Sequence, residues 1–173
     1  GVSVKSTVYN KEGDVVSTQT DDITVAAGKT ETISQSVDVA NPKLWSVDSP
    51  NLYWVRTEII QNGKVVDSTD SRFGIRYIAT DPNSGFYLNG VHTKLNGVCE
   101  HSDLGSLGME TYQAAVDRRI RTLKKYGVNA IRTSHNPVSP EFIEACDRLG
   151  MLVFEEAFDQ WLYSKNSDDY HNY

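Results

Sequence analysis

The chain is 173 residues long, with 23 acidic against 17 basic residues, a net charge of −6, 39% hydrophobic residues and two cysteines. That length accommodates one domain or two small ones and excludes a complete eight-stranded α/β barrel, which needs about 250 residues. The acidic balance without a basic patch argues against a nucleic-acid partner, no apolar run nears the roughly 18 residues of a membrane helix, and the ordinary apolar fraction excludes disorder as the main state.

The first residues carry no basic segment followed by an apolar run, so no signal peptide is expected. Up to Ile78 the chain reads as short alternating runs broken by turn signals. Residues 2–9 alternate and meet the turn Asn10-Lys11-Glu12-Gly13-Asp14; further runs cover 15–16, 23–25, 32–39, 52–60 and 65–68. Runs rich in Val, Thr, Ile and Tyr at roughly ten-residue spacing predict an antiparallel sandwich, here of about seven strands. Asn62-Gly63 between two such runs is the strongest hairpin signal. Trp45, Trp54 and the tyrosines are read in two ways: as core and packing residues, the commoner case, or as a carbohydrate-binding face.

After Asp81-Pro82-Asn83-Ser84-Gly85 the pattern changes. Phe86-Tyr87-Leu88, the turn Asn89-Gly90 and residues 93–98 predict a hairpin leading into a buried strand. Between Thr111 and Tyr126, the apolar residues Tyr112, Ala115, Val116, Ile120 and Leu123 recur at three- and four-residue intervals, which places them on one helical face. Asp117, Arg118, Arg121 and Lys124 are expected to point away, and Gly127 to end the helix. Residues 128–132 predict a short strand. Ser139-Pro140-Glu141 is a helix start, with a capping hydroxyl, a proline in the first turn and a carboxylate near the positive end. Phe142, Ile143, Cys146 and Leu149 supply that helix's buried face, and Gly150 closes it. Met151-Leu152-Val153-Phe154 is the continuous apolar run of a strand covered on both faces. Residues 86–156 thus read β-α-β-α-β, a parallel arrangement whose three strands leave two open edges, so a larger α/β architecture is implied and self-association of the chain is conceivable.

In βα units, groups that meet a ligand gather at the C-terminal ends of the strands. Here those ends hold Cys99-Glu100-His101-Ser102-Asp103, then Arg132-Thr133-Ser134-His135-Asn136-Pro137, then Glu155-Glu156-Ala157-Phe158-Asp159-Gln160-Trp161. Singly, each is unremarkable: a histidine beside a strand is more often structural, Arg132 could merely pair with a carboxylate, and Trp161 could be core. Together they suit a polyhydroxylated ligand, because imidazoles, carboxylates and amides bond to hydroxyls and an indole stacks on a sugar ring. A metal-dependent hydrolytic site is the competing reading, although His-x-His and His-x-x-x-His spacings are absent. Residues 105–108 do not form a phosphate loop, since no strand–GxGxxG–helix context surrounds them.

The strings Phe86-Tyr87-Leu88-Asn89-Gly90, Lys94-Leu95-Asn96-Gly97-Val98, His101, Asn129-Ala130-Ile131-Arg132-Thr133-Ser134-His135-Asn136-Pro137, Cys146-Asp147-Arg148-Leu149-Gly150 and Glu156-Ala157-Phe158-Asp159 closely resemble glycoside hydrolase family 2. The nearest match is to its bacterial β-galactosidases, and β-glucuronidases and β-mannosidases share much of the pattern. The resemblance implies an immunoglobulin-like β-sandwich over 1–78, followed over 79–173 by the first βα units of a truncated (β/α)8 TIM barrel. It also implies retaining hydrolysis of a carbohydrate substrate by two glutamates about 5 Å apart. The acid/base of the family lies in an Asn-Glu dipeptide. No Asn-Glu occurs here, so both catalytic glutamates are expected beyond residue 173, in the rest of the parent chain.

Residue by residue, the resemblance implies that His101 and His135 contact sugar hydroxyls and that Arg132 orients the nucleophile and favours its charged form. It matches Glu156 to a glutamate that in some members helps hold magnesium, with a histidine two positions on. Phe158 stands there instead, which weakens the case for a metal and leaves Glu156 a hydrogen-bonding role. Asp159 and Trp161 fall in a stretch that varies between subgroups and are candidate ligand contacts. A non-catalytic carbohydrate-binding or interaction module is the alternative. The sugar and the cellular compartment are not readable from the residues.

Overall fold

A computed structural model of the chain describes residues 1–158. The candidate contacts Asp159 and Trp161 lie outside the described residues. The described residues divide into two compact units, one formed by 1–45 and 51–76, the other by 46–50 and 77–158.

The first unit is built on a four-stranded antiparallel sheet of β1 (Val2–Tyr9), β2 (Val15–Ile23), β3 (Tyr53–Gln61) and β4 (Lys64–Phe73), in the order β2-β1-β3-β4. Asn62 and Gly63 join β3 to β4 with φ of 51° and 73°, the pair of positive values that a two-residue hairpin of matching twist requires. Four laddered strands replace the seven expected. The runs expected at 15–16 and 23–25 share the single strand β2, and 32–39, whose burial alternates as the sequence pattern predicts, joins no ladder. That segment is tied instead through a side chain: Ser6 Oγ donates to Gln35 Oε1 at 2.6 Å, and Gln35 Nε2 donates to Val4 O and Asp21 Oδ2 at 3.0 and 2.9 Å. Trp45 is 2% exposed, its ring capped by the Arg76 guanidinium at 4.7 Å, which makes it a core residue and not a sugar-binding surface.

In the second unit, β5 (Ile78–Asp81), β6 (Gly85–Leu88) and β7 (Val91–His92) form a small antiparallel meander. Strand β5 escaped the sequence reading because all four of its residues are exposed and so leave no hydrophobic alternation. The chain then runs β8 (Gly97–Glu100), α1 (Gln113–Lys125), β9 (Ala130–Thr133), α2 (Pro140–Leu149) and β10 (Leu152–Glu155). The three strands pair in parallel in the order β8-β9-β10, with Val98, Ile131 and Val153 in one row and Cys99, Arg132 and Phe154 in the next. Successive strand residues face opposite sides, so the first row packs with Val116, Ile120, Phe142 and Cys146 of the helices while the second faces away from them. Burying a side chain such as Ile120, at 0% exposure, contributes about 1.5–3 kcal/mol. Phe154, on the uncovered face, is 70% exposed.

Helix α2 begins as its sequence dictates: Ser139 Oγ accepts from the Phe142 amide at 3.3 Å, Pro140 takes the first position and Glu141 lies in the first turn. On α1 two residues expected to point away are engaged. Asp117 accepts from Arg148 of α2 at 2.6 Å, and Lys124 Nζ donates to the carbonyls of Val47 and Gly150 at 2.5 and 2.9 Å. Cys146 is buried among the helices, and burial pushes its thiol up to about 12, whereas Cys99 is exposed. One equivalent of thiol is therefore expected to react promptly with a disulfide reagent in the native chain, the second only on denaturation. Two fast thiols would contradict the packing of α2.

Candidate functional site

At the end of β8, His101 follows Glu100. The Glu100 carboxylate turns toward α1 and pairs with Arg119 at 3.0 Å, which removes it from the polar group that the sequence suggested. At the end of β9 stand Arg132 and, beyond a cis Ser134–His135 peptide bond, His135. After β10 comes Glu156, whose amide donates to Thr133 Oγ1 at 3.0 Å. This bond fixes the Glu156 backbone against the neighbouring strand end.

Three of the predicted residues are joined directly. Arg132 Nε donates to Glu156 Oε1, and His135 Nδ1 lies 2.7 Å from Glu156 Oε2. Arg132 Nη2 is 3.3 Å from His135 Nδ1, and Arg132 Nη1 is 3.8 Å from the Cys99 sulfur. The His101 ring meets the His135 ring edge to face, with centroids 6.3 Å apart. The Glu156 side chain is only 14% exposed, against 46% for Arg132 and 43% for His135. The carboxylate is thus the inner member and the arginine and imidazole the outer ones.

Arg132 first, and His135 after it, hold the Glu156 carboxyl below the usual carboxylate range. A carboxyl group lowered on folding adds stability that is complete above the unfolded value of about 4.3 and is lost as pH falls through the depressed folded value. A carbon-13 titration of the Glu156 side chain is expected to give a midpoint below about 4.3. A midpoint at or above it would show that the two contacts do not form.

Glu156 does not fit magnesium. One of its oxygens accepts from a guanidinium, and a divalent cation beside that charge would be repelled. Among the described residues no three of His, Cys, Asp and Glu gather to hold an ion. Cys99 stood among the strand-end residues in the sequence, and parallel register sets it beside Arg132. Nothing in the sequence signals that Ser134 Oγ, just past the end of β9, is buried with no hydrogen-bond partner among the described residues.

Charged and imidazole side chains on the C-terminal rim of parallel βα units define the class of (β/α) barrel proteins that bind ligands above their strands. The chain belongs to glycosyl hydrolase family 2. The family's own model matches residues 1–76, and the model of its TIM barrel domain matches 80–166. The beta-galactosidase BoGH2A of Bacteroides ovatus is 41% identical over 172 residues, covering 99% of this chain and 20% of the relative. A solved family 2 member from Bacteroides cellulosilyticus superposes with a TM-score of 0.92 at 40% identity, covering 99% of this chain and 22% of that one. The Bacteroides uniformis beta-glucuronidase gives 0.83 at 32% identity over 90% of this chain and 19% of its own. The chain spans about a fifth of the length of the curated relative BoGH2A. Its first unit is an immunoglobulin-like sandwich domain, and its second is the start of the TIM barrel.

Proposed function

We propose that this chain is the sandwich and barrel-opening portion of a retaining β-glycosidase acting on terminal β-galactosides. In this reading His101 and His135 meet the sugar hydroxyls, and Arg132 orients the nucleophile and favours its charged form. Two glutamates from barrel strands beyond residue 173 would supply the acid/base and the nucleophile, about 5 Å apart. The observation that carries the reading is the joined Arg132–His135–Glu156 group, with His101 beside it, on one rim of parallel strands. Convergent polar side chains held by one another are preorganised, so they bind a ligand without first losing their own freedom.

The identity of the sugar rests on the relative named beta-galactosidase at 41% identity. A second reading, a β-glucuronidase, is favoured by the fit to the Bacteroides uniformis enzyme of that name. The test is turnover of aryl β-galactoside and aryl β-glucuronide by the longer protein that contains this chain. Faster cleavage of the galactoside supports the first reading and faster cleavage of the glucuronide the second; no cleavage of any aryl β-glycoside contradicts both. The 173-residue chain by itself is expected to be inactive, because three strand ends do not close a pocket.

A further inference from the structure

The contacts of His135 determine more than its position. Its Nδ1 has two neighbours that make opposite demands: a carboxylate oxygen at 2.7 Å, which wants a proton on that nitrogen, and a guanidinium nitrogen at 3.3 Å, which wants a lone pair there. A neutral imidazole carries one proton and can satisfy only one of them. The distances decide between the two. At 2.7 Å a bare Nδ1 would set its lone pair against a charged oxygen at full hydrogen-bond range, whereas at 3.3 Å the two donors are already beyond the preferred N–H···O distance and can splay apart. Arg132 also has other acceptors, Glu156 Oε1 and the Cys99 sulfur. At neutral pH a carboxyl group is ionised, and the guanidinium that donates to Oε1 favours that form.

We infer that Glu156 is a positioning residue that fixes His135 as the Nδ1–H tautomer, leaving the Nε2 lone pair as the face that meets a ligand. His135 then accepts from a hydroxyl of the ligand and does not donate to it. Glu156, only 14% exposed behind the two outer side chains, acts on the ligand through them. The same carboxylate anchors the Arg132 side chain through Nε, so one group sets both outer members of the site. This deepens the carbohydrate reading by naming the direction of one hydrogen bond: the sugar must offer an O–H to His135, and fluorine or a ring oxygen at that place would meet lone pair with lone pair.

The direct test is nitrogen-15 NMR of the His135 imidazole nitrogens in the complete protein that contains this chain, at a pH where the ring is neutral. The expected spectrum has a protonated Nδ1 and an unprotonated Nε2. In Glu156→Ala the two signals are expected to exchange roles, because Arg132 Nη2 then becomes the only polar neighbour of Nδ1 among those described here and donates to it. In Arg132→Met the wild-type tautomer is expected to persist. A wild-type Nε2–H tautomer overturns the inference, as does an unchanged tautomer in Glu156→Ala or a reversed one in Arg132→Met. If Glu156→Ala fails to fold, the wild-type spectrum and Arg132→Met still decide. None of these readouts involves sugar cleavage, so a protein without glycosidase activity would refute the proposed function and leave this assignment standing.

Discussion

Replacing His135 with alanine in the complete protein is expected to lower kcat/KM on its preferred aryl β-glycoside by about 10²–10³-fold, the range found when a preorganised polar group is removed from a catalytic site. Two effects combine. The substrate loses a hydrogen-bonding partner that is held in place before binding, and Glu156 loses the imidazole at its Oε2. Loss of an interaction realised only in the transition state lowers kcat together with kcat/KM, whereas loss of uniform binding raises KM alone. Steady-state kinetics of the purified variant separate the two. Turnover within a few-fold of wild type would remove His135 from the site.

Gly150→Ala is expected to be the most damaging single methyl addition for stability. Gly150 closes α2 in the left-handed region at φ 79°, where a side chain costs about 1–2 kcal/mol. A Cβ there would also fall well inside van der Waals contact with the Val47 carbonyl oxygen, which Lys124 already uses as an acceptor. Moving Val47 would weaken that bond as well, so a total loss of about 3 kcal/mol is expected. For a chain of this size it corresponds to a fall in Tm of roughly 6–12 °C. Gly28→Ala is the control. Its φ of 71° carries similar backbone strain, but nothing lies within 4 Å of the added carbon, and its shift should stay at the strain alone. Equal shifts for the two variants would show that the Val47 contact has no energetic weight.

The two units differ in how far their folds could be read in advance, and for physical reasons. Helices α1 and α2 were legible because a 3.6-residue period and the cap at Ser139 are properties of one segment, and β9 and β10 because each is a short apolar run between helix ends. In the sandwich, alternation in 32–39 reported truthfully that one side of an extended segment is half-buried. It could not report whether the backbone finds a ladder partner, and the strand count came out too high. On α1 the helical period sorted core from surface but could not foresee Asp117 reaching Arg148, or Lys124 reaching carbonyls 77 and 26 residues away in sequence.

The candidate site shows the same division. His101, Arg132, His135 and Glu156 could be named as candidates because strand ends in βα units present their residues on one rim and the family resemblance singles these four out. The hierarchy among them was not. Glu156 stood in the sequence as one more ligand contact, and only the geometry makes it the inner group on which Arg132 and His135 both rest. Cys99 stood among the strand-end residues, and only parallel register sets it beside Arg132. Asp159 and Trp161 remain candidates from sequence.

The most direct measurement is a crystal structure of the complete protein with a monosaccharide or a sugar-shaped glycosidase inhibitor bound. Hydroxyls of the ligand should lie within hydrogen-bond distance of His101 and of His135 Nε2, above the ends of β8 and β9, with Glu156 out of reach behind the two outer side chains. A sugar seated elsewhere, with both imidazoles facing bulk solvent, would contradict the account at its root.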